Sequence, residues 1–461
     1  MEERTAADNA GRVAEATLPV LTRRDLVVRA GGALAGATAL GLLGPTARAA
    51  PRFPGADAFD AEVTTAWFDL SLELVRQTAG FSPPVASRAL GYAGITLYEA
   101  LVPGMEGFRS LAPVLAGLGP LPAAGRNRAY DWPTVANAAL ASVLRGLFPS
   151  GQTAAVNALE ARSEACVGRA VPRGILERSA QRGQEVAAAV VEWSKEDGGH
   201  EGYLRNFPSS YVAPVGPGLW VPTPPGFLPA LQPFWGRNRC LAIAGGADCP
   251  PGDHPAYSED PASGFHAEAL EVYDTVDKLT PEQETIARFW SDDPGTTATP
   301  PGHSISITTQ VLRRERASLA AAAEAYAKVG IAVCDAFVAC WHQKYVYNLL
   351  RPVTYLRRLD PEWLPVLVTP PFPEYPSGHS VQSGASAQVL TDLFGEGYAF
   401  VDHTHDGLGF EPRSFGSFFE AAEEAAISRL YGGIHFRAAI ERGLAQGRCI
   451  GCAVQAMPFH A

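Results

Sequence analysis

The spacing of apolar residues constrains this chain more than any other feature. From Phe59 to about Gly198 they recur at intervals of three and four, in runs broken by Pro and Gly, which predicts helices over 59–79, 84–102, 132–148, 152–169 and 173–196. In the last of these, Ile175, Ala180, Val186, Ala189, Val190 and Trp193 form one amphipathic stripe, which is stable only against a partner surface. Helical signals return at 266–278, at 281–292, where Thr280 caps and Pro281 opens the first turn, and over 316–349. No strand-type alternation of convincing length occurs. The expected fold class is therefore all-α, with helices packed on helices.

Residues 199–262 differ in character. Pro214, Pro217, Pro222, Pro224, Pro225, Pro229 and Pro233 leave almost no room for helix, which predicts a long irregular segment on the surface, tucked down by Trp220, Phe227, Phe234 and Trp235. The expected organisation is an N-terminal helical half over 50–198, the irregular connector over 199–262 and a C-terminal helical bundle over 263–461. With 47% hydrophobic residues, the 461-residue chain can build a large core. Its 37 Lys and Arg against 48 Asp and Glu, a net charge of -11, exclude nucleic acid as a natural partner. Seven cysteines are an odd number at low density, so no disulfide framework carries the fold. Cys240 and Cys249 close a short loop and are the candidate pair. Cys449 and Cys452 have redox spacing without a βαβ context and read as structural thiols.

The first 49 residues read as an address. Thr22-Arg23-Arg24-Asp25-Leu26-Val27 precedes an uncharged Gly, Ala and Leu-rich stretch from Ala30 to Leu43, followed by Ala47-Arg48-Ala49, a small-x-small cleavage site. This is a twin-arginine export signal, expected to be cut after Ala49, with a periplasmic or extracellular destination. The apolar run is shorter than the roughly 20 residues a membrane span needs, so no stable membrane anchor is expected after cleavage. Cleavage leaves 31 basic against 43 acidic groups.

Three stretches near the C-terminus place polar residues where a core would prefer apolar ones. In Lys344-Tyr-Val-Tyr-Asn-Leu-Leu-Arg351-Pro352, seven residues correspond to about 700° of helix, so Lys344 and Arg351 would share one face before Pro352 stops the helix. Two such cations can hold an anion; a solvated basic face is the plainer reading. In Pro371-Phe-Pro-Glu-Tyr-Pro-Ser377-Gly378-His379, Ser377 is an N-cap and Gly378 allows close approach to the free N–H groups of a helix running to about Phe394, with His379 at the rim. A plain turn and cap is the alternative. In Ser428-Arg429-Leu-Tyr-Gly432-Gly433-Ile434-His435, a continuous helix would turn Arg429 and His435 about 120° apart, but the two glycines let the chain break so that both can face one pocket.

In this order and within 344–435, these stretches resemble the superfamily that joins type 2 phosphatidic acid phosphatases with vanadium-dependent haloperoxidases. The resemblance runs from about His266 to Cys452, and the helical N-terminal half looks like that of soluble, exported bacterial haloperoxidase-like members. It implies a helical bundle of the haloperoxidase and acid phosphatase type. It also implies a pocket in which Lys344, Arg351, Arg429, Ser377 and the Gly378 amide hold the equatorial oxygens of vanadate, with phosphate able to occupy the same place. By the same resemblance His435 is the axial vanadium ligand, or the nucleophile of a phosphatase, and His379 the acid/base group. Hydrogen peroxide and halide, or a small phosphate ester, would be the substrates.

The third motif of this superfamily usually continues His-x3-Asp, and here Ala439 stands at the acidic position. A phosphatase needs that acid to activate its nucleophile more than a vanadium ligand does, so a haloperoxidase is the favoured reading and a soluble acid phosphatase the alternative. Glu441 or a backbone carbonyl is the substitute partner expected for His435. Two further features are set aside as structural. Asp402-His403-Thr404-His405-Asp406 reads as a polar loop beside the pocket in preference to a metal site, and His303 as part of a capped turn in preference to a residue lining the entrance.

Overall fold

The computed structural model describes residues 54–125, 128–167 and 171–461. The expected export signal and cleavage site lie outside the described residues. The N-terminal half contains α1 (Glu62–Gln77), α2 (Pro83–Leu101), α3 (Trp132–Leu147), α4 (Thr153–Val167) and α5 (Arg173–Ser194), each within a few residues of its expected bounds. The C-terminal half contains α6 (Gly264–Asp277), α7 (Pro281–Phe289), α8 (Thr299–Arg314), α9 (Leu319–Tyr347), α10 (Pro352–Leu359), α11 (Gly378–Phe394), α12 (Phe418–Tyr431) and α13 (Arg437–Gln455). The one sheet among the described residues pairs β1 (Phe400–Asp402) antiparallel with β2 (Arg413–Phe415). The fold is all-α. No helix among the described residues is long and apolar enough to cross a membrane.

Two helices escape the sequence pattern. α8 starts Thr-Pro-Pro-Gly-His and is rich in Ser and Thr, which favour turns and caps. Its prolines fall in the first turn, where a backbone N–H is not needed, and burial of Ile305, Val311 and Leu312 overrides the weak propensity. His303 is thus a buried helix residue, not part of a capped turn. α10 is separated from α9 by Asn348, a left-handed residue at φ +48 whose N–H still bonds to Lys344. Arg351 therefore lies beyond the end of α9 as the N-cap of α10, and it does not share a helix face with Lys344. Pro352 opens a helix instead of ending one.

Beside a smaller cluster that includes Phe265, Leu356, Tyr375 and Phe436, the two halves share a main hydrophobic core with members from Ala56 to Phe459. At its centre lies α9, against α2. Their backbones touch where Gly94 faces Tyr326: a Cβ on Gly94 would sit 2.4 Å from the Tyr326 carbonyl oxygen. A second close crossing brings α13 onto α11. A Cβ on Gly447 would fall 2.2 Å from the Val381 carbonyl, and Gly443 and Gly451, one turn to either side, are similarly tight. This approach lets the Ser377 N–H donate to the Ala439 carbonyl at 3.1 Å, so α13 fixes the start of α11.

Residues 199–262 are irregular, with 3-10 turns only at Gly202–Leu204 and Trp235–Arg237. Their main anchor is Asp335, buried within α9, whose carboxylate accepts the N–H groups of Leu241, Ala242 and Ile243 at 2.8, 2.7 and 3.1 Å. A buried acid in a helix thus satisfies a stretch of chain that has no secondary structure of its own. Trp220 and Trp235 are buried, whereas Phe227 does not tuck in: it is 63% exposed. The disulfide expectation also fails. Cys249 bonds to Cys449 on α13, and Cys240 is a free, buried thiol packed near Asp335.

The Cys249–Cys449 link spans 200 residues and ties the connector to the helix that seats the second motif. Breaking it with Cys249→Ser should cost about 2–4 kcal/mol and lower the thermal midpoint of oxidised protein. A non-reducing peptide map should recover the 249–449 pair and leave Cys240 alkylatable only after unfolding.

Candidate functional site: an oxyanion pocket between helix ends

The second motif organises the site. Ser377 is the N-cap of α11, its hydroxyl accepting from the Ser380 N–H, and Gly378 and His379 form the first turn. Helix-start amides lack partners within the helix and suit an anion. The loop before it, 371–376, is held by the first motif. Lys344 Nζ donates to the carbonyls of Pro373, Glu374 and Pro376 at 3.0, 2.9 and 2.5 Å, which uses all three of its N–H groups. Burial pushes the Lys344 ammonium down to about 7. Arg351 donates from Nε to Phe372 O at 2.8 Å and from Nη1 to Ile434 O at 2.9 Å, and Nη1 also approaches His435 Nε2 at 3.1 Å.

The third motif breaks where its glycines stand. α12 ends at Tyr431, Gly433 takes φ +74, and α13 begins at Arg437. A side chain at Gly433 would also press on Pro365 and Val276, so both conformation and space require glycine. The break brings Arg429 and His435 to the same cavity. Arg429 donates to Ser428 Oγ and the Ala287 carbonyl, both at 2.9 Å.

The partner of His435 is Glu374, not the Glu441 or backbone carbonyl expected from the sequence. Its Oε1 accepts from His435 Nδ1 at 2.8 Å and from the Phe436 N–H at 2.9 Å. These bonds place the ring proton on Nδ1 and leave a lone pair on Nε2. Desolvation, with the Arg351 and Lys344 charges next in weight, pushes the imidazole well below its ordinary range, so the ring is neutral. Glu374 was the one acid in the Pro and aromatic stretch 371–376, and that isolation was the available signal. Ala439 faces elsewhere and contributes its carbonyl to Ser377.

A cavity of about 850 Å³ opens over this arrangement, lined by Gly378, His379, Arg429 and His435. Lys344, Arg351 and Ser377 lie behind it, fully buried. The Phe372 ring lines the cavity and sits 5.1 Å from Lys344 Nζ and 4.8 Å from the Arg351 guanidinium carbon. Of the seven groups expected around one opening, four line it and three stand in the layer beneath. The residues fit an oxyanion on one clear count: Arg351 Nη2 is buried with no hydrogen-bond partner, as is His379 Nε2. An unpaired buried guanidinium donor costs more than about 1–3 kcal/mol and calls for an acceptor.

The fold and these residues have counterparts in known proteins. A family model described as the VCPO second helical-bundle domain matches residues 324–360 and 358–459. The chain is 37% identical to a solved structure described as the first bacterial vanadium-dependent iodoperoxidase, with a TM-score of 0.78 over 86% of this chain and 96% of that one. The chain belongs to the vanadium-dependent haloperoxidase family. A holo-type bacterial vanadium-dependent chloroperoxidase, 17% identical, shares the fold at a TM-score of 0.64 over 84% of this chain and 95% of that one. The vanadium chloroperoxidase of Curvularia inaequalis is 25% identical over 222 residues, 35% of this chain, and the match spans 36% of that enzyme's length.

Beside the pocket of this haloperoxidase-family chain lies a buried ionic network. His303 donates from Nδ1 to Asp292 at 2.9 Å and from Nε2 to Asp402 at 2.7 Å, and His405 Nε2 bonds to Asp292 at 3.0 Å. Asp292, His303 and His405 have ligand-type spacing, but both His303 nitrogens already hold carboxylates. His403 is exposed and pairs with Asp406. The Trp290 ring stacks on His303 at 4.4 Å, and the Trp290 backbone bonds to the His379 ring. His303 thereby backs the strip of chain that orients His379. Desolvation, followed by the Arg429 charge, holds His379 well below its ordinary range and keeps it neutral.

Two outcomes follow from this geometry. Glu374→Gln should weaken orthovanadate or phosphate binding about 10- to 100-fold by calorimetry, because the amide no longer fixes the His435 tautomer. Burial disfavours the charged His303, but Asp292 and Asp402 outweigh it and raise the imidazole to about 10. The bound proton stabilises the fold fully below the ordinary histidine range, and that contribution is lost as pH rises through about 10. The thermal midpoint should therefore fall between pH 7 and 10. His303→Gln should lower it at pH 6 by breaking a buried pair, about 3–5 kcal/mol, and should remove this alkaline dependence.

Proposed function

We propose that this chain is a vanadium-dependent haloperoxidase that holds vanadate at His435 and oxidises halide with hydrogen peroxide. The observation that carries the reading is the neutral His435 with its Nδ1 proton tied to Glu374, beside the unpartnered Arg351 Nη2 and the start of α11. Bound vanadate supplies a Lewis acid that activates hydrogen peroxide toward halide without changing its own oxidation state. His435 offers the Nε2 lone pair once Arg351 Nη1 yields it. Arg351 and Arg429 balance the anion's charge, with Lys344 holding the loop beneath them, and Ser377 and the Gly378 amide close the ring of donors. His379, neutral and unpartnered at Nε2, can take or give a proton at the cavity floor. The 37% identity to an iodoperoxidase supports iodide among the halides.

A soluble acid phosphatase is the second reading, and one observation restores it. The case against it rested on the missing acid at Ala439, and Glu374 supplies that acid from another part of the chain. The same pocket would then hold a small phosphate ester, with His435 as nucleophile. Export by the twin-arginine route belongs to the proposal too, supported by the Arg23-Arg24 signature and by a disulfide that an oxidising compartment sustains.

One preparation decides between the readings. With orthovanadate, hydrogen peroxide and iodide or bromide it should form triiodide or brominate a phenol indicator, and it should not hydrolyse nitrophenyl phosphate. His435→Ala should lose one-to-one vanadate binding and retain its helical circular dichroism. Hydrolysis without halogenation would make the phosphatase reading the correct one.

A further inference from the structure

The cavity is far larger than the proposed chemistry at its floor requires. At about 30 Å³ per water-sized group, an oxyanion with four oxygens, hydrogen peroxide and a halide fill about 200 Å³. The space is about 850 Å³, within the range of sites that enclose an organic molecule. Its walls are aromatic, with Phe81, Phe337, Trp341 and Phe372 facing the same opening. Its mouth keeps apolar side chains in water: Phe227 and Val368 are 63% and 71% exposed, and Phe207 and Leu228 stand beside them. Phe227 is held there in a left-handed conformation at φ +46, with its N–H on the Thr223 carbonyl at 2.9 Å. A strained, exposed aromatic at a cavity mouth is a cost without a ligand to cover it.

Charge narrows the occupant. On the lining Arg76 is paired with Glu73, Asp292 with His303 and His405, and Arg429 is close enough to Asp293 to feel its charge, while the two lining imidazoles are neutral. Such a surface favours neither an acid nor a base. Thr369, on the lining and buried, has a hydroxyl with no partner, which suits one polar group on an otherwise apolar molecule.

We propose that this cavity binds a neutral, electron-rich aromatic compound of the phenol class, the organic acceptor that is halogenated in place. The acceptor role rests on the haloperoxidase reading; the binding site does not. In the net step one aromatic C–H bond and the peroxide O–O bond break and one carbon–halogen bond forms. The halide gives two electrons to the peroxide, and with one proton taken up the two oxygens leave as two waters. Edge and face contacts with the wall rings would position the aromatic compound, and its hydroxyl would meet Thr369.

Calorimetry with 1-naphthol, using protein without vanadate or halide, should show one site. Phe227→Asp combined with Val368→Asp changes only exposed rim residues, and aspartate tolerates the left-handed conformation. This variant should bind 1-naphthol at least about tenfold more weakly, with orthovanadate affinity and acceptor-free triiodide formation unchanged. Thr369→Val should also weaken 1-naphthol without touching triiodide formation. Absence of 1-naphthol binding, unchanged binding in the rim variant, or tighter competing binding by decanoate would overturn the inference and leave the haloperoxidase reading intact. Binding of 1-naphthol by a protein that takes up no vanadate and oxidises no iodide would overturn the acceptor role and that reading together. A product isomer ratio identical to that from free hypohalous acid would overturn halogenation in place alone.

Discussion

Glu374 carries a buried carboxyl in a loop with almost no polar company, and the site is assembled around it. Its Oε1 reaches His435 and the Phe436 amide, which joins the second motif to the third. Its own carbonyl is one of the three that hold Lys344, which joins the second motif to the first. Its N–H bonds to the Leu349 carbonyl just after α9. A buried carboxylate is tolerable only with donors and cations around it, and a buried lysine only with acceptors. Each of the three motifs therefore satisfies a cost that another creates. This mutual dependence keeps two cations and an imidazole close together, out of water, with the ring uncharged.

The same economy explains what the sequence could and could not disclose. The helices were legible because an apolar stripe at 3.6-residue spacing is a local property. The N-terminal five lie within a few residues of expectation for that reason. The Gly432-Gly433 break was legible too, since two glycines mark a place where the chain can turn. Lys344 and Arg351 were singled out by pattern but misplaced by geometry. The helix between them ends at Asn348, whose left-handed conformation no periodicity reveals. α8 was hidden because its prolines and hydroxyl residues argue against a helix that tertiary burial enforces.

Partners far apart in sequence were the least legible. Glu374 lies 61 residues from His435, Asp402 lies 99 from His303, and Cys249 lies 200 from Cys449. None of these pairings has a spacing rule, and for two of them the residue expected from sequence was a nearer neighbour: Glu441 for His435 and Cys240 for Cys249. Local candidates win on paper because chain distance is the only distance a sequence contains. In the folded molecule the helix ends converge, and the shortest route between two side chains crosses the core.

Gly443, Gly447 and Gly451 give α13 a bare strip along which α11 lies in backbone contact. None of the three lines the cavity, yet a methyl group at Gly443 or Gly447 would press on the first two turns of α11, where the donors are set. Saturation mutagenesis scored by growth or activity would thus rank this strip with the reacting residues. A surface that carries no functional group at all thus helps decide where the reacting groups stand.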